Sequence, residues 1–255
     1  MKVLAKALLS AVVAIPLGFG TIVTQAETTS PAPAWDFDHE QPGTLPGEFS
    51  IGTLFDGRPA GDWQVFATDR AKSPPHVLAQ LMAKGAEHAY KVVLIKEIIA
   101  SDLNLEVSFL PIQGQADMGG GLIWRAADDR DYYLARANPL EQNIRVYRVV
   151  KGVRHLLQNF DQTINVKQWH TLRVIHQGCR VNIFYDGKQI FELCDKTFHA
   201  GMIGLWTKSD AVTYFDDLQL QHVKSAQTRQ GAQSTRIDVF WRDVKISRTR
   251  HKQHK

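Results

Sequence analysis

The chain has 255 residues, 44% of them hydrophobic and 22% charged, with a formal net charge of +4 and two cysteines. That is ample apolar material for a core, in one large all-β domain or two small ones. Residues 221–255 hold nine Lys/Arg against Asp238 and Asp243, a local +7 that leaves −3 on residues 1–220, so the body is mildly acidic and no nucleic-acid partner is expected.

In chain order, residues 1–26 read as an export signal. Met1, Lys2 and Lys6 form a positive start, Ala7–Val23 an apolar run, and Thr24-Gln25-Ala26 a small-residue cleavage site. A retained anchor is the alternative, but Pro16 and Gly18 interrupt the run and no second apolar stretch follows. No cysteine follows the signal to take a lipid. The mature chain is expected in the periplasm or secreted, with no transmembrane segment after processing.

Residues 27–46, rich in Pro, Thr and Gly, read as a linker entering a domain over 47–220. Within the linker Asp36, Asp38 and Glu40 alternate. Strands are expected at Asp62–Thr68, His76–Met82, Ala89–Ile95 and Leu103–Phe109. The stretch Gly119–Gly152 then reads as three strands, Gly121–Arg125, Tyr132–Asn138 and Asn143–Val150. Ile144, Val146 and Arg148 share one face of the third, and Asn143, Arg145, Tyr147 and Val149 the other. Such mixing of Arg, Asn and Tyr with apolar residues predicts one packed and one wet face.

Leu156–Phe160 is a weaker strand, and Trp169–His176, Arg180–Tyr185 and Gln189–Leu193 form a meander. Its last turn is Asp186-Gly187, a strong two-residue hairpin signal. Pairing Tyr185 with Lys188 sets Cys179 opposite Cys194, at a hydrogen-bonded pair where the Cα separation is wider. A disulfide is expected there, two free thiols being the alternative. Met202–Lys208 and Ala211–Leu220 close the domain. Residues 221–255 read as a basic tail, with an ambiguous helix-or-strand segment at Ile237–Val244. With no amphipathic helix in the body, the expected fold is all-β: two antiparallel sheets in a sandwich.

The stretches GGGLIWR, DYYLARAN, NIRVYRVVKG, QWHTLRV, VNIFYDGKQIFE and GMIGLWTKSDAVTYFDDLQL, taken together, resemble the concanavalin A-like (laminin G-like) jelly-roll proteins. The branch is that of 3-keto-disaccharide hydrolase or family 16 glycoside hydrolase-like domains, matched from about Trp35 to Leu220. The resemblance implies a jelly roll acting on carbohydrate, and hydrolysis of a 3-keto-glycoside or related sugar. It also implies a structural Ca²⁺ held by a closing-strand Asp and an N-terminal oxygen, with Asp56 and Asp217 as candidates and Asp210 and Asp216 nearby. One fold hosts lectins, hydrolases and adhesion modules alike.

Glycoside cleavage needs two carboxylates flanking a bond. The family 16 pattern Glu-x-Asp-x-Glu is absent mid-domain; Asp36-x-Asp38-x-Glu40 is the nearest string and reads as a solvated edge. Glu106, the one carboxylate centred in a strong strand, reads as exposed surface. For glycan binding, Arg125, Arg136, Asn138, Arg145, Trp206 and Lys208 are the candidates, since a flat ring beside hydrogen-bond donors suits a sugar. The alternative makes Trp206 core and pairs the arginines with Asp128, Asp129 and Asp131. Ten histidines form no HExxH group, no nucleophile elbow is present, and Gly119-Gly120-Gly121 lacks the context of a phosphate loop. Two functions stand: a carbohydrate-active domain whose partner is a glycan or disaccharide, or a non-catalytic envelope module whose tail docks on an anionic surface.

Overall fold

The computed structural model describes residues 32–222. Its strands, in chain order, are β1 (Ala34–Trp35), β2 (Phe49–Ile51), β3 (Trp63–Ala67), β4 (His76–Gln80), β5 (Tyr90–Ala100), β6 (Leu103–Gln113), β7 (Gly120–Ala126) and β8 (Tyr132–Asn138). There follow β9 (Asn143–Val150), β10 (Val153–Asp161), β11 (His170–Gln177), β12 (Arg180–Tyr185), β13 (Lys188–Cys194), β14 (Gly201–Lys208) and β15 (Val212–His222). No helix among the described residues is long and apolar enough to cross a membrane.

The strands form two antiparallel sheets. The eight-stranded sheet runs β13-β12-β11-β6-β15-β4-β3 with β1 beside β15; the seven-stranded sheet runs β10-β9-β8-β7-β14-β5-β2. The last two strands in sequence therefore sit in mid-sheet, β14 between β7 and β5 and β15 between β6 and β4. The inner faces meet in one core, with Leu122, Trp124, Tyr133, Val146 and Leu205 packed against Leu105, Val107, Phe109, Val174 and Phe215. Trp124 stacks on Tyr133 with ring centroids 5.5 Å apart and donates its indole N–H to His176 Nδ1 at 3.0 Å. This is the expected jelly-roll sandwich.

Each longer strand was expected, although β5, β6 and β10 run several residues beyond their expected bounds. Tyr132–Asn138, Asn143–Val150 and Arg180–Tyr185 coincide with β8, β9 and β12. β1 and β2 span two and three residues, too short to carry a period.

Two expectations need correction. From Ala34 on, the linker 27–46 is part of the sandwich: β1 pairs with β15, Ala34 opposite Gln219, and Phe37 is buried in the core. Its Asp38 accepts the His76 backbone N–H at 3.1 Å, so the Asp36–Glu40 string forms a turn fastened to β4. The hairpin register also differs. Tyr185 pairs with Lys188, but a bulge shifts the ladder between Ile183 and Phe184, so Cys194 faces Arg180. Cys179 and Cys194 nevertheless form a disulfide, their Cα atoms 4.7 Å apart, because a displacement of one position still leaves them neighbours across the hairpin. The signal 1–26, the tail from 223 and the Ile237–Val244 segment lie outside the described residues.

Candidate functional site

The second face of the seven-stranded sheet, turned away from the core, carries the alternate residues of six strands. Tyr90, Val92 and Leu94 come from β5, Trp206 from β14, Ile123 from β7, Tyr132 and Leu134 from β8, Tyr147 and Val149 from β9, and Arg154 from β10. The expected wet face is not there. Val92, Ile123, Tyr132, Leu134, Val149 and Trp206 form a second buried layer. The β2–β3 connection is tied to β5 by Gly52 N–H to Val92 O at 2.9 Å, and the β4–β5 connection to the turn after β14 by Ser209 Oγ to Gly85 O at 3.2 Å. Trp206 is core-like at 2% exposure.

The arginines divide. Arg125 does not join this face. At a positive φ of 49° it turns to the end of the sandwich, where its guanidinium bonds Ser101 O, Gly178 O and Phe198 O and meets His176 Nε2 at 2.9 Å. Burial, and then this cation, push His176 down to about 4. Arg136, Asn138, Arg145 and Lys208 do come together, as a closed polar network at one end of the face. Arg136 and Arg145 each reach Glu141 Oε2 at 2.8 Å, and Lys208 pairs with Asp117 at 3.1 Å.

Asn138 Nδ2 donates to both Asp117 and Glu141, at 3.3 and 3.4 Å. Burial pushes the Asp117 carboxyl up against the pull of Lys208. Partial burial raises Glu141 too, yet Arg136 and Arg145 hold it below the usual carboxylate range. Every charge here has a partner, the Lys208–Asp117 pair being buried and Glu141 exposed, so the network fastens the β8–β9 hairpin. The alternative pairing of these arginines with Asp128, Asp129 and Asp131 is absent as well. Asp128 accepts backbone N–H groups of its own turn and Asp129 accepts Thr53 N–H at 2.6 Å.

The two calcium candidates have other partners: Asp56, in the β2–β3 connection, is ion-paired with Arg58 at 2.6 Å, and Asp217, in β15, accepts Ser73 Oγ–H at 2.9 Å. Asp210 caps the backbone N–H groups of Gln115, Ala116 and Asp117. No group of three or more His, Cys, Asp or Glu among the described residues is placed to hold a metal. Glu106 points outward beside Arg173, 3.9 Å away, as exposed strand surface.

What sequence reasoning missed is a cleft over the aromatic part of the second face. It measures about 590 Å³ and is lined by Phe55, His88, Tyr90, Tyr147, Gly152, Val153, Arg154 and Leu156. A neighbouring hollow of about 430 Å³ shares Phe55 and His88 and has Arg58, Lys84 and Lys91 on its walls. Lys91 is fully buried, its amine lowered to about 8 by that burial. Phe55, 68% exposed, stands at the mouth. Gly152, at a φ of +78°, gives it room, since a Cβ there would come within 3.1 Å of the Phe55 ring.

On the floor, Tyr90 and Trp206 lie 5.6 Å apart between centroids. The Arg154 guanidinium sits 5.0 Å from the Tyr90 and Tyr147 ring centres and 5.9 Å from that of Trp206. Below it, Tyr132 OH and Trp206 Nε1 are buried without a hydrogen-bond partner, and burial drives the Tyr132 hydroxyl up. The one sequence signal for this cleft was Tyr147, on the second face of its strand; Arg154 lies before the expected strand Leu156–Phe160, since β10 begins at Val153. Phe55 carried none, being placed by the path of the β2–β3 connection, while Tyr90 opens β5 within the expected strand Ala89–Ile95.

No protein-family model matches the sequence, and no curated protein does. Among solved structures the chain is similar to a carbohydrate-binding module, CBM66 from Bacillus subtilis. The identity is 18%, over 68% of this chain and 95% of the module, with a TM-score of 0.56. It is likewise similar to a Bacillus licheniformis beta-glucanase at 11% identity, over 77% of this chain and all of the enzyme, with a TM-score of 0.51. At such identities the likeness concerns the fold, which is a concanavalin A-like jelly roll.

Proposed function

We propose that this jelly roll is a glycan-binding domain and that the Phe55–Tyr90–Tyr147–Arg154 cleft is its site. One observation carries the reading: the cleft combines an aromatic floor, an exposed aromatic at its mouth and a guanidinium poised above, with no carboxylate in its lining. A sugar stacks its CH face on rings and has its hydroxyls bridged by donors, and the cleft offers both. The likeness to a carbohydrate-binding module agrees with it. Hydrolysis of a 3-keto-glycoside, the activity attached to the family resemblance, requires two carboxylates across the scissile bond. The convergent pair, Asp117 and Glu141, is neutralised inside its network, so binding ranks ahead of cleavage.

The reading extends to location. The 1–26 pattern and a disulfide both support work outside the cytoplasm, and the +7 tail supports a secondary attachment to an anionic surface. Intact mass of the protein recovered from the cell envelope tests the first, with Glu27 expected as its first residue.

Binding is tested by affinity electrophoresis and calorimetry against a panel of oligosaccharides. Phe55→Ala is expected to weaken binding about tenfold, on the order of 1.4 kcal/mol, with the melting temperature unchanged because the ring is exposed. A panel without a single binder ends the proposal.

A further inference from the structure

We infer that the glycan taken by this cleft is an acidic one, whose anionic substituent is gripped by Arg154 and Arg130. The inference rests on the glycan-binding reading and deepens it. Ten arginines fall among the described residues, and seven of them (58, 125, 136, 145, 148, 173 and 180) have a carboxylate within 4.0 Å. Of the remaining three, Arg154 lines this cleft and Arg130 lines the small pocket next to it.

Neither guanidinium makes a side-chain hydrogen bond within the described residues, and each is held by rings alone. Arg154 lies over Tyr90, Tyr147 and Trp206; Arg130 lies 5.0 Å over Phe55. Phe55 and Gly152 join the two places, since both residues line the Arg154 cleft and the small pocket beside Arg130. Gly152 N–H also bonds Arg130 O at 2.9 Å.

A guanidinium offers five N–H donors in a planar fork that matches a carboxylate or sulfate edge to edge. Stacking on an aromatic face leaves that edge free and restrains a side chain whose freedom would otherwise be lost on binding. The charge around the site has the same sign. His88 lines both hollows and Lys84 the neighbouring one, while the nearest acids are already engaged, Asp56 by Arg58 and Asp129 by Thr53 N–H. Among described arginines that mostly have a carboxylate partner, two restrained ones without such a partner, beside an open cleft, mark where an anion is received. The anion belongs to a sugar because the ring-lined floor lies directly beneath the fork.

The test uses the full chain, so that the basic tail is common to every variant. Calorimetry compares three oligosaccharides of equal length: one bearing uronate carboxylates, its carboxyl-reduced neutral counterpart, and a sulfated one. The uronate form is expected to bind at least tenfold more tightly than the reduced form, by an amount that shrinks with added salt. Arg154→Gln and Arg130→Gln are each expected to remove tenfold or more from the acidic ligand, a clearly larger factor than either removes from the neutral one. Arg154→Lys, which keeps charge without the fork, is expected to fall between. Preference for the sulfated sugar supports the same site with a sulfate ester as the anion.

Equal binding of uronate and reduced sugars overturns the inference and leaves the glycan reading standing. Acidic binding undiminished in both Gln variants overturns it too, by placing the anion elsewhere on the chain. Failure of all three sugars in the wild type removes the glycan reading itself. Arg130 is exposed, so Arg130→Gln keeps the test open if Arg154→Gln does not fold.

Discussion

At Asp216 and His176, burial sets the protonation state of the folded protein. Asp216 is fully buried; its carboxylate accepts the backbone N–H groups of Lys72, Ser73 and Asp217. Ser73 Oγ lies 3.1 Å from Asp216 and 2.9 Å from Asp217 with a single proton to give. Burial raises Asp216 to about 6, above its usual 3.8. A raised carboxyl stabilises the fold below its unfolded pKa, and that contribution is lost as pH climbs through about 6. His176 works in the opposite sense: held neutral, with a folded value near 4 against 6.5, it loses stability as pH falls through the same window. The two therefore oppose each other between about pH 4 and 6.5. Asp216→Asn removes the first and is expected to make melting temperature rise more steeply with pH across that window. Thermal unfolding of both proteins from pH 4 to 7 checks it; parallel curves would refute the assignment.

The β12–β13 hairpin shows at the level of elements how a local signal succeeds and where it stops. Asp186-Gly187 specified the turn, and Tyr185 pairs with Lys188 accordingly. The bulge after it has no sequence signature, because it answers to the packing of Phe191 in the core and not to the strand's own alternation. The disulfide spans a separation of 15 residues, for which loop-closure entropy gives roughly 3 kcal/mol. Cys194→Ser is expected to cost about 2–4 kcal/mol in denaturant unfolding, and a reductant is expected to lower the wild type to the same level. The cleft should be unaffected, since it lies on the other sheet. Sugar affinity that falls along with the disulfide would show that the two regions are coupled.

Across the whole molecule, the sandwich is closed by segments far apart in sequence. β15 touches β1, β4 and β6, and Phe37, from a stretch that reads as linker, fills the core at 2% exposure. Phe37→Ala is expected to cost roughly 3–5 kcal/mol, and a chain starting at residue 47 to unfold at lower denaturant than one starting at residue 27. Equal midpoints would restore the linker reading. The sequence by itself determined the strands, their faces and the all-β class, because alternation over five or more residues is a local consequence of backbone geometry. It also brought Arg136, Asn138, Arg145 and Lys208 onto one face. Whether that face was wet, which arginines kept a carboxylate and where a cleft opened were decided by tertiary structure alone. Those properties depend on which loop lies over which strand and on charges such as Glu141 and Asp117 arriving from other connections, distances that no local period encodes.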